Sequence, residues 1–221
     1  MRQWIGVELD ETSWREKAVS SVGGFVAILA VIGISGHALG LDGAAMLIGS
    51  MGASSVLLFG VPHGALSQPW PVLAGHLVSA LIGVGCARWI DNRELAAACA
   101  VGLAIGAMHQ CKCIHPPGGA TALTAVMGGP AVRSLGWSFM WHPVLLNALV
   151  LVGVAVIFNS VFPWRRYPTH LHRRKAATET PLTPAHADVV AALRRLDSFI
   201  DITEEDLVRL VQLLAPRSPN L

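Results

Sequence analysis

Residues 43–87 read GAAMLIGSMGASSVLLFGVPHGALSQPWPVLAGHLVSALIGVGCA, 45 residues without one charged side chain. A membrane-crossing helix takes about 20 apolar residues, so this stretch is too long for one span and long enough for two. The break is visible inside it. Val61-Pro62-His63-Gly64 and Gln68-Pro69-Trp70-Pro71 carry prolines and a glycine that end one helix and start the next.

Working outward, further uncharged stretches cover 18–41, 95–111, 113–132 and 134–164. The pattern predicts six membrane-embedded helical segments, at roughly 18–37, 43–60, 70–90, 95–112, 117–129 and 137–161. The fifth is short, and whether it and the second cross fully or re-enter is left open by length alone. Only seven charged residues lie among the 147 of 18–164, against seven in 1–17 and sixteen in 165–221. With 53% hydrophobic residues and a mean hydropathy of +0.54, the chain is excluded from the soluble enzymes and from disordered proteins. A net charge of +2, with basic residues grouped beside apolar ends, excludes a nucleic-acid partner.

The residues before the first apolar run include Trp4, Glu8, Asp10, Glu11, Trp14, Arg15, Glu16 and Lys17, and that run is too long for a signal peptide core. It is expected to stay in the bilayer. Arg15 and Lys17 precede the first span, and Arg165, Arg166, Arg173, Arg174 and Lys175 follow the last, so both ends are expected in the cytoplasm. Trp70, Trp89, Trp137, Trp141 and Trp164 fall near segment ends, where an indole prefers the interface. Cys86, Cys99, Cys111 and Cys113 form no secreted disulfide framework and are read as reduced.

The two halves resemble each other. Gly52-Ala53-Ser54-Ser55-Val56 matches Gly119-Ala120-Thr121-Ala122-Leu123, and Pro71-Val72-Leu73 matches Pro143-Val144-Leu145. Each half reads as a long helix, a short helix rich in small residues, a proline-rich turn and a long helix, the layout of duplicated transporters. Three crossings per half make such a repeat inverted; two crossings and a re-entrant segment make it parallel.

Ionisable groups concentrate in His109-Gln110-Cys111-Lys112-Cys113-Ile114-His115-Pro116-Pro117-Gly118-Gly119-Ala120-Thr121, where a membrane domain tolerates them least. The prolines start a helix, and Gly118 and Gly119 let either a ligand or a neighbouring helix approach its first turn. Backbone N–H groups at a helix start suit a small anion, with His115 and Lys112 adding donors and Thr121 lying about one turn inside. In the first half, Gly49-Ser50-Met51-Gly52-Ala53-Ser54-Ser55 offers the equivalent hydroxyls and bare backbone, with Gly52, Ser54 and Ser55 foremost, where a packing seam is the other reading.

The run His115-Pro116-Pro117-Gly118-Gly119-Ala120-Thr121-Ala122-Leu123 resembles the signature of the HPP family of integral membrane proteins. Gly52–Phe59, Pro62-His63, Gln68-Pro69 and Gly75–Ala80 resemble further family blocks in the same order, and together the likeness covers about 15–168. Family members in cyanobacteria and chloroplasts are associated with nitrite transport. The resemblance therefore implies a carrier or channel for a small inorganic anion, nitrite first among them, and adds His63 and His76 as pathway residues. Two positions depart from the family pattern: Trp70 follows Gln68-Pro69 where arginine is usual, and Lys112 stands where arginine is frequent. At Lys112 a fork of donors becomes a point charge.

Other readings have less behind them. His109, Cys111, Cys113 and His115 alternate, but a helix presents at most two of them on one face, so a metal site is not expected. Asp42, Asp91 and Glu94 fall at segment ends and no serine sits in a nucleophile elbow, so neither an enzyme nor a cofactor is expected. The tail adds a basic linker over 165–183 and two amphipathic helices in 184–221, one with Val189, Leu193, Leu196 and Ile200 on a face, the other capped by Thr203. Such a pair is expected to pack on a partner or on the membrane domain's own loops; a homo-oligomer is the expectation, with a membrane-anchored sensory or assembly protein the alternative to transport and a metal-handling membrane protein the third. The whole reads as an all-α, polytopic membrane helix bundle of a bacterial inner membrane. An N-terminal segment over 1–17, a membrane domain over 18–164 with six segments in two repeated halves, and a cytoplasmic C-terminal hairpin make it up.

Overall fold

The computed structural model describes residues 13–165 and 167–169, with the backbone alone described over 34–46. The expected helical hairpin of 184–221 lies outside these residues, as do most of the 1–17 segment and most of the basic linker. Every regular element among the described residues is helical.

The first helix, α1, covers Trp14–Gly60, opening at Ser13, whose Oγ accepts the Glu16 N–H at 3.2 Å. A straight helix of 47 residues would run about 70 Å. Yet Glu16 and Phe59 both bond the same Arg165 guanidinium, so the chain reverses within it. Two antiparallel arms result, 14–33 and 47–60, which correspond to the first two predicted segments. The arms touch where a side chain is missing: a Cβ on Gly23 would stand 2.3 Å from a Phe59 ring carbon.

A 3-10 turn at Ala65–Ser67 leads into α2, Pro69–Trp89. Proline suits this first turn, whose N–H groups lack an internal acceptor. Asn92 caps α3, Arg93–Gln110, accepting the Leu95 N–H at 2.8 Å. Then follow α4, Pro116–Met127, and α5, Gly129–Leu135. The predicted sixth segment, 137–161, is broken. His142 is non-helical (φ −140°, ψ 105°) before Pro143, so a wide turn at Met140–Leu145 precedes α6, Leu146–Ser160. The residue before a proline is pushed out of the helical region, which accounts for the break.

Among the described residues, three stretches are long and apolar enough to cross a membrane: Trp14–Gly33, Pro69–Trp89 and Met140–Ser160. The Leu47–Gly60 arm and the 12-residue α4 are shorter; at 1.5 Å per residue α4 reaches only about 18 Å of a core about 30 Å thick. Large apolar side chains point outward, among them Phe25, Val56, Leu103 and Ile157, as befits a protein whose solvent is lipid.

Inside, α2 separates two apolar clusters. One joins it to both α1 arms and α6 through Leu47, Met51, Val72, Val84 and Leu151; the other joins it to α3 and α4 through Ala96, Ala100, Ala104, Met108 and Ala122. The α2–α4 contact is close because glycines line it. A Cβ on Gly83 would lie 2.6 Å from the Ala122 carbonyl oxygen, one on Gly75 2.7 Å from His115 Cβ, and one on Gly118 2.7 Å from Ser79 Oγ. Small residues let helix backbones approach in lipid, where dispersion and polar contacts replace the hydrophobic drive.

One end of the bundle is closed by Arg165. Its side chain is wholly buried, pairs with Glu16, and donates to Phe59 O, to Asn159 Oδ1 at 2.7 Å and to Ser20 Oγ at 3.1 Å. The sequence alone puts this residue at the head of a solvated basic linker; the structure instead buries it between α1 and α6. Trp164 Nε1 donates to the other Glu16 oxygen at 2.7 Å. Beside it, Thr169 donates through N and Oγ1 to Gln68 Oε1 at 3.1 and 3.2 Å, and Gln68 Nε2 donates to Pro62 O and Gly64 O. Arg165 and residues 167–169 thus form a strap that holds the end of the 47–60 arm and the loop 61–68. Burial pushes the neighbouring Tyr167 phenol well above its ordinary range, so it stays protonated.

Two outcomes follow from this packing. Gly83→Val should lower thermal stability in detergent by about 1–3 kcal/mol through overpacking, whereas Gly102→Ala, which meets nothing within 4 Å, should change it by less than about 1 kcal/mol. Arg165→Ala should cost about 3 kcal/mol or more, since Glu16 loses its charged partner and the Phe59 and Asn159 acceptors lose their Arg165 donor. Melting of the purified variants measures both.

Candidate functional site: a buried histidine pair

Ser50 and Ser54 lie one turn apart on the 47–60 arm and face inward. His76 projects from α2. His115 is the N-cap of α4, extended at φ −144°, ψ 99°, and Thr121 sits one turn and a half into that helix. All five side chains are buried, four of them completely. The glycine-lined approach of α2 and α4 brings the two imidazoles to 4.9 Å between ring centroids, edge to face.

Ser54 Oγ stands 2.8 Å from His76 Nε2 and 2.8 Å from His115 Nε2. His76 Nδ1 lies 2.7 Å from Thr121 Oγ1, which is 3.1 Å from Ser50 Oγ. His115 Nδ1 lies 2.9 Å from the Leu66 carbonyl oxygen. A carbonyl can only accept, so His115 Nδ1 carries the hydrogen, and in the neutral ring Nε2 is an acceptor. Ser54 therefore donates to His115 Nε2, and must itself accept from His76 Nε2–H. His76 Nδ1 is then an acceptor, supplied by the Thr121 hydroxyl. One carbonyl orders four donors, from Thr121 through His76 and Ser54 to His115, and sets both tautomers. Ser54 has a second acceptor within reach, Ser50 O at 3.2 Å.

The remaining predicted residues do not all converge here. Gly118 lies against Gly75 O and Ser79 Oγ and serves packing. The start of α4 offers few free donors: Pro116 and Pro117 have no N–H, and Gly118 N–H donates to His115 O at 2.8 Å. Gly119 is half-buried, and a Cβ there would lie 4.0 Å from Val101 Cγ1. Gly52 and Ser55 face away from Ser54, along a groove of about 570 Å³ between the α1 arms that Phe25 and Val56 also line. His63 is half-buried in the 61–68 loop that carries Leu66. Lys112 is exposed, with φ 51°, at the tight turn that ends α3, where its N–H reaches His109 O; this left-handed position favours glycine. Among the described residues no three His, Cys, Asp or Glu side chains gather as a metal set.

Ser50 belongs to the 49–55 stretch whose hydroxyls the sequence offers to the site, and its i, i+4 spacing from Ser54 puts both on one face. Sequence reasoning missed the Leu66 carbonyl, because a main-chain oxygen acts only through where the fold puts it.

Helices of this length and apolarity around a buried polar centre define an integral membrane protein. The HPP transmembrane region model matches residues 9–168, and the chain belongs to that family. Two transmembrane proteins of Dictyostelium discoideum are similar to it. One is 36% identical over 183 residues, covering 76% of this chain and 62% of its own length; the other is 36% identical over 168 residues, covering 74% and 52%. The chain thus spans less than two thirds of the length of these relatives. No solved structure matches it.

Histidine-selective nitrogen NMR in nanodiscs should find His115 as the Nδ1–H tautomer and His76 as the Nε2–H tautomer. Ser54→Ala removes the oxygen both rings share and should cost about 1–3 kcal/mol of stability, while Gly52→Ala, which meets nothing within 4 Å, should leave the melting temperature nearly unchanged.

Proposed function

We propose that the chain is a membrane transporter or channel for a small monovalent anion, with nitrite the leading substrate. The observation that carries this reading is the Ser54–His76–His115–Thr121 cluster. Buried polar side chains in a membrane domain are costly and mark pathways for polar solutes. The cluster supplies imidazole N–H and hydroxyl donors and no negative charge, a set that suits an anion. The family's association with nitrite points the same way.

The layout also fits transport. The cluster draws on the short 47–60 arm and the short α4, the corresponding elements of the two similar halves, and it lies where they meet. In this reading six segments enter the membrane as two repeats with the pathway between them. Glu16 and Arg165 share one end of the bundle, as an even number of crossings requires, and that end faces the cytoplasm of a bacterial inner membrane. The anion site centres on the histidine pair rather than on the proline-blocked start of α4. A homo-oligomer in the bilayer is the working assembly.

The test is flux of nitrite, nitrate and chloride into liposomes holding the purified protein. His115→Ala and His76→Ala should each reduce flux about fivefold or more, as loss of a donor worth roughly 1–3 kcal/mol implies. Absence of any anion movement above protein-free vesicles would remove the reading.

A further inference from the structure

In the resting cluster His115 Nε2 has no hydrogen. Its ring hydrogen is on Nδ1, held by Leu66 O at 2.9 Å, and Nε2 takes the Ser54 hydroxyl at 2.8 Å. An anion brought to this point would meet one donor, His76 Nε2–H, and one lone pair. Adding a proton to His115 Nε2 reverses that. The Ser54 hydrogen then turns from His115 to its second acceptor, Ser50 O at 3.2 Å, and both Nε2–H groups point at Ser54 Oγ, 2.8 Å from each. An anion that takes the place of this hydroxyl oxygen meets two converging donors, one of them on an imidazolium, and together they form an anion site.

We propose, resting on the transport reading above, that the Ser54-bridged His76–His115 pair takes up one proton with each anion, so that transport is electroneutral proton–anion symport. The charge balance is simple. One proton joins His115 Nε2, no covalent bond to the anion forms, the imidazolium and the bound anion cancel in charge, and the proton and the anion cross together with no net charge. Releasing the anion returns the proton through the same nitrogen, and the Ser54 hydrogen turns back.

The surroundings leave this proton alone with its anion. The 47–60 arm and α4 carry no titratable side chain, and α2 carries near this level only His76 itself. Arg88 at the far end of α2 faces Trp137, while Arg93 and Glu94 begin α3 at that same far end. On α3, Cys99 is half-buried and His109 exposed; in the turn that follows, Lys112 is exposed and the buried Cys113 thiol meets Cys111. His63 lies in the 61–68 loop. Glu16, the carboxylate at the closed end, is already paired with Arg165. None of the named partners of the pair is charged, so an imidazolium there calls for a mobile counter-ion, and the substrate is one.

The test measures anion uptake and internal pH together in proteoliposomes, for nitrite and for nitrate. Nitrate is included because its acid is strong and carries no proton across lipid unaided; protein-free vesicles give the nitrite background. Uptake should acidify the lumen by about one proton per anion. Because a neutral pair feels no net transmembrane field, rates should change by less than about twofold when a potassium diffusion potential is imposed. Uptake without acidification, with rates that follow the potential, would overturn symport while leaving transport standing; no uptake of either anion would overturn both. His115→Gln offers a permanent N–H without titrating, and should give anion flux that carries charge and no proton. If that variant kept proton-linked, potential-independent uptake, the assignment to His115 would be wrong; if it failed to fold, the wild-type ratio alone would decide.

Discussion

The close approach of α2 and α4 is the constraint on which the rest of this structure depends. Gly75, Gly83 and Gly118 leave no room for a Cβ between the two backbones, and in lipid such contact replaces the water-driven burial that holds soluble helices together. It also places His76 and His115 edge to face at 4.9 Å. Any larger residue along the seam would separate the rings, and Ser54 Oγ would no longer reach both. Packing and site chemistry are here one constraint, and the glycines of the His-Pro-Pro-Gly-Gly run divide between them: Gly118 belongs to the seam, and Gly119 faces α3 beside Val101.

A second line of contacts links the cluster to one end of the bundle. Leu66, whose carbonyl orders the hydrogens of His115, lies in the 61–68 loop; Gln68 and Ser67 of that loop are tied to Pro62, Gly64, Leu57 and Val61, and Thr169 is tied to Gln68. Arg165 binds the beginning of α1, the end of its second arm and the end of α6. The tautomers of the histidine pair therefore rest on a loop held from outside by the strap that follows the last helix. Burying a guanidinium is costly unless every donor finds an acceptor, and here the cost is offset by a carboxylate, a carbonyl, an amide oxygen and a hydroxyl.

Much of the fold was legible in the sequence because lipid imposes simple rules. The scarcity of charge over 18–164 separated membrane from tail, and the prolines at 62, 69 and 71 marked where one helix gives way to the next, within a residue or two of the observed ends of α1 and α2. The break at His142 was less visible. Pro143 looked like the start of a helix matched to Pro71, and in effect it is one, but the run 137–161 contains no charge to show that it is interrupted. The candidate site was half legible. His76, His115, Ser54 and Thr121 come together, while Lys112 is turned to the surface and Gly52 and Ser55 face a groove elsewhere.

The sequence by itself determined that this chain lies in a membrane, which family it resembles and which short polar stretches sit within apolar helices, because those properties follow from composition, spacing and motif. Only the tertiary structure decided what those polar groups do to one another. That Ser54 bridges two imidazoles, that Leu66 O fixes the order of their hydrogens, and that Arg165 is a buried clamp and not a solvated charge are facts about residues tens of positions apart. Hydrogen bonding acts over a few ångströms of space, and distance along the chain carries no information about it until the helices have packed.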